Sequence, residues 1–177
     1  MKHLQKIIES HSAAFFDLDG TLVKTDYLHE KAYNLAAKKL GVSRSQVDNS
    51  ELYKLKKEIY LDLISKVSIE VNTKVFSYYI DFLKNNKKVV IVTNTLEQNA
   101  DTIINRFLIK PDLLIAGSSF ADRIKPFPDM YESALEKLNL NFNEVIAFED
   151  DKKGITSALS ARIKVIDVIE EKIYEPL

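Results

Sequence analysis

The sequence predicts an α/β protein built on an open parallel sheet, with a small helical insertion behind the first strand. Three observations carry this. Four short apolar, β-prone runs recur along the chain, and short continuous runs of that kind read as strands buried on both faces. Helical periodicities lie between most of them, which implies right-handed βαβ units. One interval breaks the alternation, because about fifty residues of helical pattern follow the first run with no strand among them.

Each element can be justified in turn. Ala13–Phe16 is the first strand. Leu28, Ala32, Leu35, Ala36 and Leu40 then follow helical spacing, and Gly41 is a helix stop. A second helix is expected over Ser50–Val67, with Leu52, Leu55, Ile59, Leu63 and Ile64 inward. Thr73–Leu83 repeats the pattern with Val75, Phe76, Tyr79, Ile80 and Leu83, and leads into a strand at Val89–Val92. Leu96–Phe107 carries Ala100, Ile103, Ile104 and Phe107 on one face, before a weaker strand at Leu113–Ala116. Asp129–Leu138 is a helix with Met130, Ala134, Leu135 and Leu138 inward. Pro128 leads into it and Asp129 reads as its N-cap. Strands at Val145–Phe148 and Ile163–Ile166 complete the sheet. We expect residues 1–25 and 72–177 to form the core, and residues 26–71 a helical cap over the carboxyl ends of the strands.

Composition narrows the function. The chain has 177 residues, 46% apolar and 29% charged, so it can bury a real core. Its net charge of -1 argues against a general nucleic-acid or acidic-membrane binder. Cysteine is absent, which excludes disulfides, thiolate nucleophiles and Cys-ligated metal sites. The N-terminus has charges spread through it and no signal-like apolar run, and no stretch approaches the ~20 residues that span a bilayer. A cytoplasmic enzyme or binding module is the expectation.

Ligands of an open parallel sheet sit at the carboxyl ends of its strands. The residues found there are Asp17-Leu18-Asp19-Gly20-Thr21, Thr93-Asn94, Lys125-Pro126-Phe127-Pro128 and Glu149-Asp150-Asp151. Asp17 and Asp19 are two apart, so on extended backbone both point to the same side. Carboxylates that close repel one another, and a hard divalent cation relieves that repulsion. Asp17 and Asp150, with Glu149 nearby, offer only oxygen, which favours Mg²⁺. Thr93 and Lys125 can hold phosphate oxygens through a hydroxyl and a point charge. One carboxylate can then attack phosphorus while the other protonates the leaving oxygen. Each piece also has a plain reading: Asp-Gly as a turn, Thr93-Asn94 as a cap, Lys125 as solvated surface, the acidic run as a helix start. Four such accidents would have to fall together on four strand ends.

DLDGT at Asp17–Thr21, Thr93 after a β run, KPFP at Lys125–Pro128 and FEDDKKG at Phe148–Gly154 resemble the four ordered motifs of the haloacid dehalogenase-like (HAD) superfamily. The insertion resembles that of its helical-cap branch, which includes β-phosphoglucomutase and phosphoglycolate phosphatase. His29, in YLHEKAYNLAAKKLG, resembles the start of that branch's first cap helix. The resemblance covers about Ala13 to Val168 and implies a Rossmann-like core. It implies that Asp17 is nucleophile and Mg²⁺ ligand, and that Asp19 is general acid, then base, with its carbonyl on Mg²⁺. It implies phosphoryl contacts from Thr93, Asn94 and Lys125, metal contacts from Asp150 and Glu149, and loop support from Thr21. The implied activity is a Mg²⁺-dependent phosphatase acting on a small phosphorylated metabolite through an aspartyl-phosphate.

Departures from the family pattern bear on the substrate. Lys24 stands where many relatives have Asp, Asp151 where many have Ser, and Arg162 where many have Gly. Lys54, Lys56 and Lys57, with Arg44 upstream, read as a solvated face of the cap or as attraction for a phosphorylated substrate. A phosphosugar mutase is the first alternative. Thr93-Asn94 looks more like the phosphatases, and Glu97 offers no positive charge for a second phosphate. A signalling receiver domain would need a different order of acidic, Thr and Lys elements and no insertion. A catalytically inactive binding protein on the same fold is the last alternative, although every catalytic position is filled.

Overall fold

A computed structural model describes residues 2–43 and 50–176. Six strands form one sheet: β1 (Ala13–Phe16), β2 (Lys88–Thr93), β3 (Leu113–Ala116), β4 (Val145–Glu149), β5 (Lys164–Asp167) and β6 (Lys172–Tyr174). Their order is β3-β2-β1-β4-β5-β6. All neighbours run parallel except β5 and β6. The central strand β1 registers Phe16 against Ile91 on one side and Phe148 on the other.

The expected strands match closely because each is a continuous apolar run whose two faces are both covered. Alternate residues divide between two cores. Ala14, Phe16, Val89 and Ile91 belong to one, with Ile7 and Ile8 of α1 (Lys2–Ser10), Val75, Tyr79 and Phe82 of α4 (Thr73–Lys84) and Ile103 of α5 (Glu97–Arg106). Ala13, Phe15, Val90 and Val92 belong to the other, with Met130 and Tyr131 of α6 (Asp129–Leu138) and Ala158 of α7 (Lys152–Ser160). Phe16 stacks on Phe148 at 4.5 Å between centroids, so the middle of the sheet is filled by aromatic area.

Between β1 and α4 lie α2 (Asp26–Leu40) and α3 (Ser50–Lys66), packed on each other through Ala36, Ala37 and Leu52. Gly41 ends α2 in the left-handed conformation, as a C-terminal stop requires. Two chain segments join this pair to the sheet and bond to one another. Lys24 N–H donates to Glu70 O at 2.9 Å, and Asn72 N–H donates to Leu22 O at 2.9 Å. Arg106 of α5 reaches across and donates to Ile64 O at 2.5 Å and Val67 O at 2.6 Å, satisfying free carbonyls at the end of α3.

Several expectations change. Leu35 is exposed, because the buried stripe of α2 runs through Leu28, Ala32, Ala36 and Ala37. On α3 the buried stripe is Leu52, Lys56, Tyr60, Leu63 and Ile64, while Leu55 and Ile59 are half-buried. Pro128 takes the N-cap position of α6 and Asp129 is its first helical residue. Helix α1 and the antiparallel edge strand β6 were not expected. Arg44 lies outside the described residues.

Candidate active site

The site is assembled at the carboxyl ends of β1, β2 and β4. There a cavity of about 470 Å³ is lined by Asp17, Asp19, Asp26, His29, Thr93, Asn94, Lys125 and Asp150, among others. Asp17 is the first residue beyond β1, and its N–H donates to Phe148 O at 3.0 Å. That bond continues the β1–β4 ladder and fixes the carboxylate at the rim. Gly20 turns the chain at φ +84. A side chain at Gly20 would overlap the Asp150 carboxylate and sit 2.9 Å from Asp26 Oδ2, so only glycine lets this loop lie against β4. Thr21 Oγ1 donates to Asp150 Oδ1 at 2.9 Å, tying the first and last motifs together.

Lys125 is the centre of charge. It is 4% exposed, and its ammonium donates at 2.7 Å each to Asp17 Oδ1, Val92 O and Glu149 Oε1. All three ammonium protons therefore have partners. Burial works against its charge, but Asp17 and Glu149 outweigh that and hold the ammonium above its ordinary range. Glu149 is 1% exposed and also accepts from the hydroxyl of Tyr131. Burial raises Glu149 despite Lys125. Burial, with Glu149 and Asp150, pushes Asp17 well up against the pull of Lys125. Asp150 is pushed up to about 6, by burial first and then by Asp26 and Asp151, against the Thr21 hydrogen bond.

Three carboxylates thus share a small space with one cation. Asp17, Glu149 and Asp150 each offer an oxygen, all within 4.8 Å of one another. An all-oxygen set of this kind fits a hard divalent cation, which would lower all three. Asp151 stands apart from them: its Oδ1 accepts from Gly154 N–H at 2.7 Å and caps α7. The acidic run is both a helix start and a candidate ligand set, divided by residue.

The remaining expected residues meet the same cavity. Thr93 Oγ1 lies 3.5 Å from Asp19 Oδ2 and accepts from Thr95 N–H at 3.2 Å. Both ends of the Asn94 amide are taken by the backbone of Lys125, at 2.9 Å to its N–H and 3.1 Å to its carbonyl. Asn94 therefore clamps the loop that presents Lys125. Lys24 points outward to Glu70 at 3.0 Å.

Sequence reasoning missed a group contributed by the helical pair. Lys56 is 8% exposed, and its ammonium donates to His29 Nδ1 at 2.9 Å. The His29 ring stacks on Tyr60 at 3.9 Å, and Tyr60 Oη donates to Asp19 Oδ1 at 2.9 Å. Burial, then Lys56, lowers His29 so that its imidazole is neutral. The signal available was the spacing 52, 56, 60, 63, which continues one helical stripe through polar residues. Lys57 lies over the Tyr53 ring, and Lys54 is exposed, so the three lysines are not one surface patch.

Comparisons with known proteins identify the family. A family profile described as haloacid dehalogenase-like hydrolase matches residues 11–162. Protein CbbY of Rhodobacter capsulatus is 27% identical over 190 residues, taking in 87% of this chain and 83% of the relative. A phosphorylated carbohydrates phosphatase of Thermotoga maritima is 27% identical over 180 residues, again 87% of this chain and 83% of the relative. The crystal structure of CbbY from Rhodobacter sphaeroides in complex with phosphate has a TM-score of 0.79 at 22% identity, covering 88% of this chain and 84% of that one, and shows the same fold. The matched span runs from the residues before β1 to those behind α7 and includes all four strand-end motifs, so the chain is an enzyme belonging to the haloacid dehalogenase-like hydrolases.

Proposed function

We propose that this enzyme hydrolyses a phosphate monoester of a small metabolite, with Asp17 as nucleophile and Mg²⁺ as cofactor. One observation carries the reading: a buried Lys125 links Asp17 to Glu149 in the cavity that also holds Asp19, Thr93 and Asp150. Residues 26–71 act as the cap, and its His29 reaches the cavity wall. The name of the Thermotoga relative favours a sugar phosphate as the metabolite. Among the described residues no helix is long and apolar enough to cross a membrane.

Asp17, Glu149 and Asp150 would hold the cation, with the Asp19 carbonyl as a further oxygen. When bound, the ion supplies charge neutralisation for the phosphoryl oxygens and for the carboxylates around them. The Lys125 charge attracts the phosphoryl group, and the Thr93 hydroxyl orients it. An oxygen of Asp17 forms a bond to phosphorus as the ester P–O bond breaks. Asp19 gives its proton to the leaving oxygen, which departs as an alcohol. Asp19 then takes a proton from water as that water attacks phosphorus, and the Asp17–phosphorus bond breaks to release inorganic phosphate. Roles that need opposite protonation states fall on neighbouring carboxylates with different partners.

The test is Mg²⁺-dependent phosphate release from p-nitrophenyl phosphate by the wild type and by Asp17→Asn. The variant keeps the shape but loses the attacking charge, so at least a ~10³-fold loss, or about 4 kcal/mol of barrier, is expected. Near-normal turnover by a folded, pure Asp17→Asn protein would end the aspartyl-phosphate reading.

A further inference from the structure

Three features around Asp19 lie outside the four motifs. First, Asp19 Oδ1 accepts two hydrogen bonds, from Thr25 Oγ1 at 2.5 Å and from Tyr60 Oη at 2.9 Å. Second, Thr25 occupies the N-cap position of α2, where a threonine hydroxyl ordinarily accepts from a backbone N–H and contributes about 1 kcal/mol. No such bond forms here, and the hydroxyl is turned to Asp19 instead. Third, Tyr60 is fully buried on α3, far along the chain from Asp19, with its ring stacked on His29 and the Lys56 ammonium 4.9 Å from its centroid. The ring is therefore held independently of the hydroxyl.

Building on the phosphatase reading, we propose that Tyr60 is a positioning residue for Asp19. With Thr25 it fixes Oδ1, so that Oδ2, on the side of Thr93, is the oxygen that exchanges the proton with the substrate. A carboxylate at a loop end otherwise turns freely about its last bond, and its two oxygens would trade places. Two donors on one oxygen remove that freedom. Burial and the charge of Asp19 push the Tyr60 hydroxyl far above its ordinary range, so it remains a donor throughout the working pH range. The acid–base group of the core is thereby set by a residue of the helical pair, and its alignment depends on where that pair sits.

The prediction is a dependence on the leaving group. A nitrophenolate departs with little protonation, whereas an alkoxide needs the proton fully, and a misplaced proton donor can cost about 10²-fold. Tyr60→Phe removes the hydroxyl and keeps the ring. Single-turnover phosphorylation should be compared for p-nitrophenyl phosphate and for the sugar phosphate that the wild type turns over fastest. We expect a loss of about 10- to 100-fold with the sugar phosphate and less than about 3-fold with the aryl ester, with KM for both within about 2-fold. Thr25→Val should show the same asymmetry and Thr25→Ser should restore the wild-type ratio. In an Asp19→Asn background, Tyr60→Phe should add nothing, as a shared pathway requires. Equal losses on both esters, an effect confined to KM, no effect on either ester, or a full additional loss in the Asp19→Asn background would each overturn the role of Tyr60. A wild type inert towards every phosphate ester would instead overturn the phosphatase reading beneath it.

Discussion

Gly154→Ala sets two known effects against one another. In the interior of an exposed helix, alanine in place of glycine contributes about 1 kcal/mol. Gly154 is in the first turn of α7 and is buried against Glu149. A Cβ there would interpenetrate Glu149 Oε2 and Cδ and sit 2.8 Å from Oε1. A glutamate can usually swing aside, but this one cannot do so freely. Its Oε1 is held by Lys125 at 2.7 Å and by the Tyr131 hydroxyl, and the residue is 1% exposed. Moving it breaks charge-assisted hydrogen bonds worth roughly 1.5–3 kcal/mol each, and leaving it in place forces overpacking of about 1–3 kcal/mol. Contacts this close put the overpacking, the cheaper of the two, at the upper end of its range, so net of the helix-propensity gain the variant should be less stable by about 1–2 kcal/mol. For a chain of this size that is a fall in Tm of roughly 2–8 °C.

Glu149 is one of the three candidate cation ligands, so Mg²⁺ affinity should fall together with stability. Calorimetric titration with Mg²⁺ should show a Kd raised at least ~10-fold. Lys153→Ala, at an exposed position in the same turn, is the control and should change stability by less than about 0.5 kcal/mol. A Gly154→Ala protein with wild-type or higher Tm and an unchanged Mg²⁺ Kd would show that Glu149 is not held as described.

Other expectations follow from the same geometry. Asp19→Asn should slow phosphorylation by an alkyl phosphate far more than by p-nitrophenyl phosphate and should trap phosphoenzyme with the aryl ester; equal losses and no trapped species would make Asp19 structural. Dialysis against EDTA should abolish turnover, Mg²⁺ should restore it, and Ca²⁺ should inhibit because its looser, higher coordination misplaces the reacting groups; full activity in excess EDTA would refute the metal site. His11, buried with Nδ1 2.8 Å from Ile7 O, is lowered by burial, against the Ile7 hydrogen bond, with Lys164 and Lys87 lowering it further and Glu175 opposing them. Its unfolded form takes up a proton below about pH 6.5 while the folded form resists. Its contribution is therefore intact above that pH and is lost as pH falls towards the depressed folded value. The urea midpoint should drop less between pH 7.5 and 5.5 in His11→Asn than in the wild type, and equal drops would remove His11 from the account.

Sequence alone was most informative where one physical requirement dominates. Parallel strands covered on both faces must be continuously apolar, so Ala13–Phe16 and Leu113–Ala116 were legible to the residue. The four motifs were legible because each follows a strand and each uses a residue type with few substitutes. Elements held by partners distant in the chain were not. Strand β6 has three residues and exists through its antiparallel ladder to β5, which no local pattern encodes. Helix α1 carries its buried Ile7 and Ile8 amid charge and reads as a solvated terminus. Lys56 and Tyr60 escaped for a related reason. Hydropathy places lysine in solvent, yet here the rings of Tyr60 and His29 cover it, and His29 is on another helix. Tyr131 was not singled out, because its hydroxyl partner, Glu149, is eighteen residues away.

The buried charges can be understood only as a group. An ammonium as buried as Lys125 would be untenable alone, and each of its protons is matched by Asp17, Glu149 or a backbone carbonyl. Asp150 joins the same cluster, so three carboxylates face one cation and all three stand above their ordinary range. A phosphate dianion entering such a cavity by itself would meet more negative than positive charge. Removing carboxylates to suit it would also remove the proposed nucleophile. A divalent cation resolves both demands at once, because it lowers the carboxylates and gives the phosphoryl oxygens a positive partner. The same excess of negative charge that makes the cluster costly in isolation would therefore make it selective for the proposed pair of metal and phosphate. This accounts for Asp17, Glu149, Asp150 and Lys125, from three separate segments of the chain, being held together by hydrogen bonds and ion pairs between those segments.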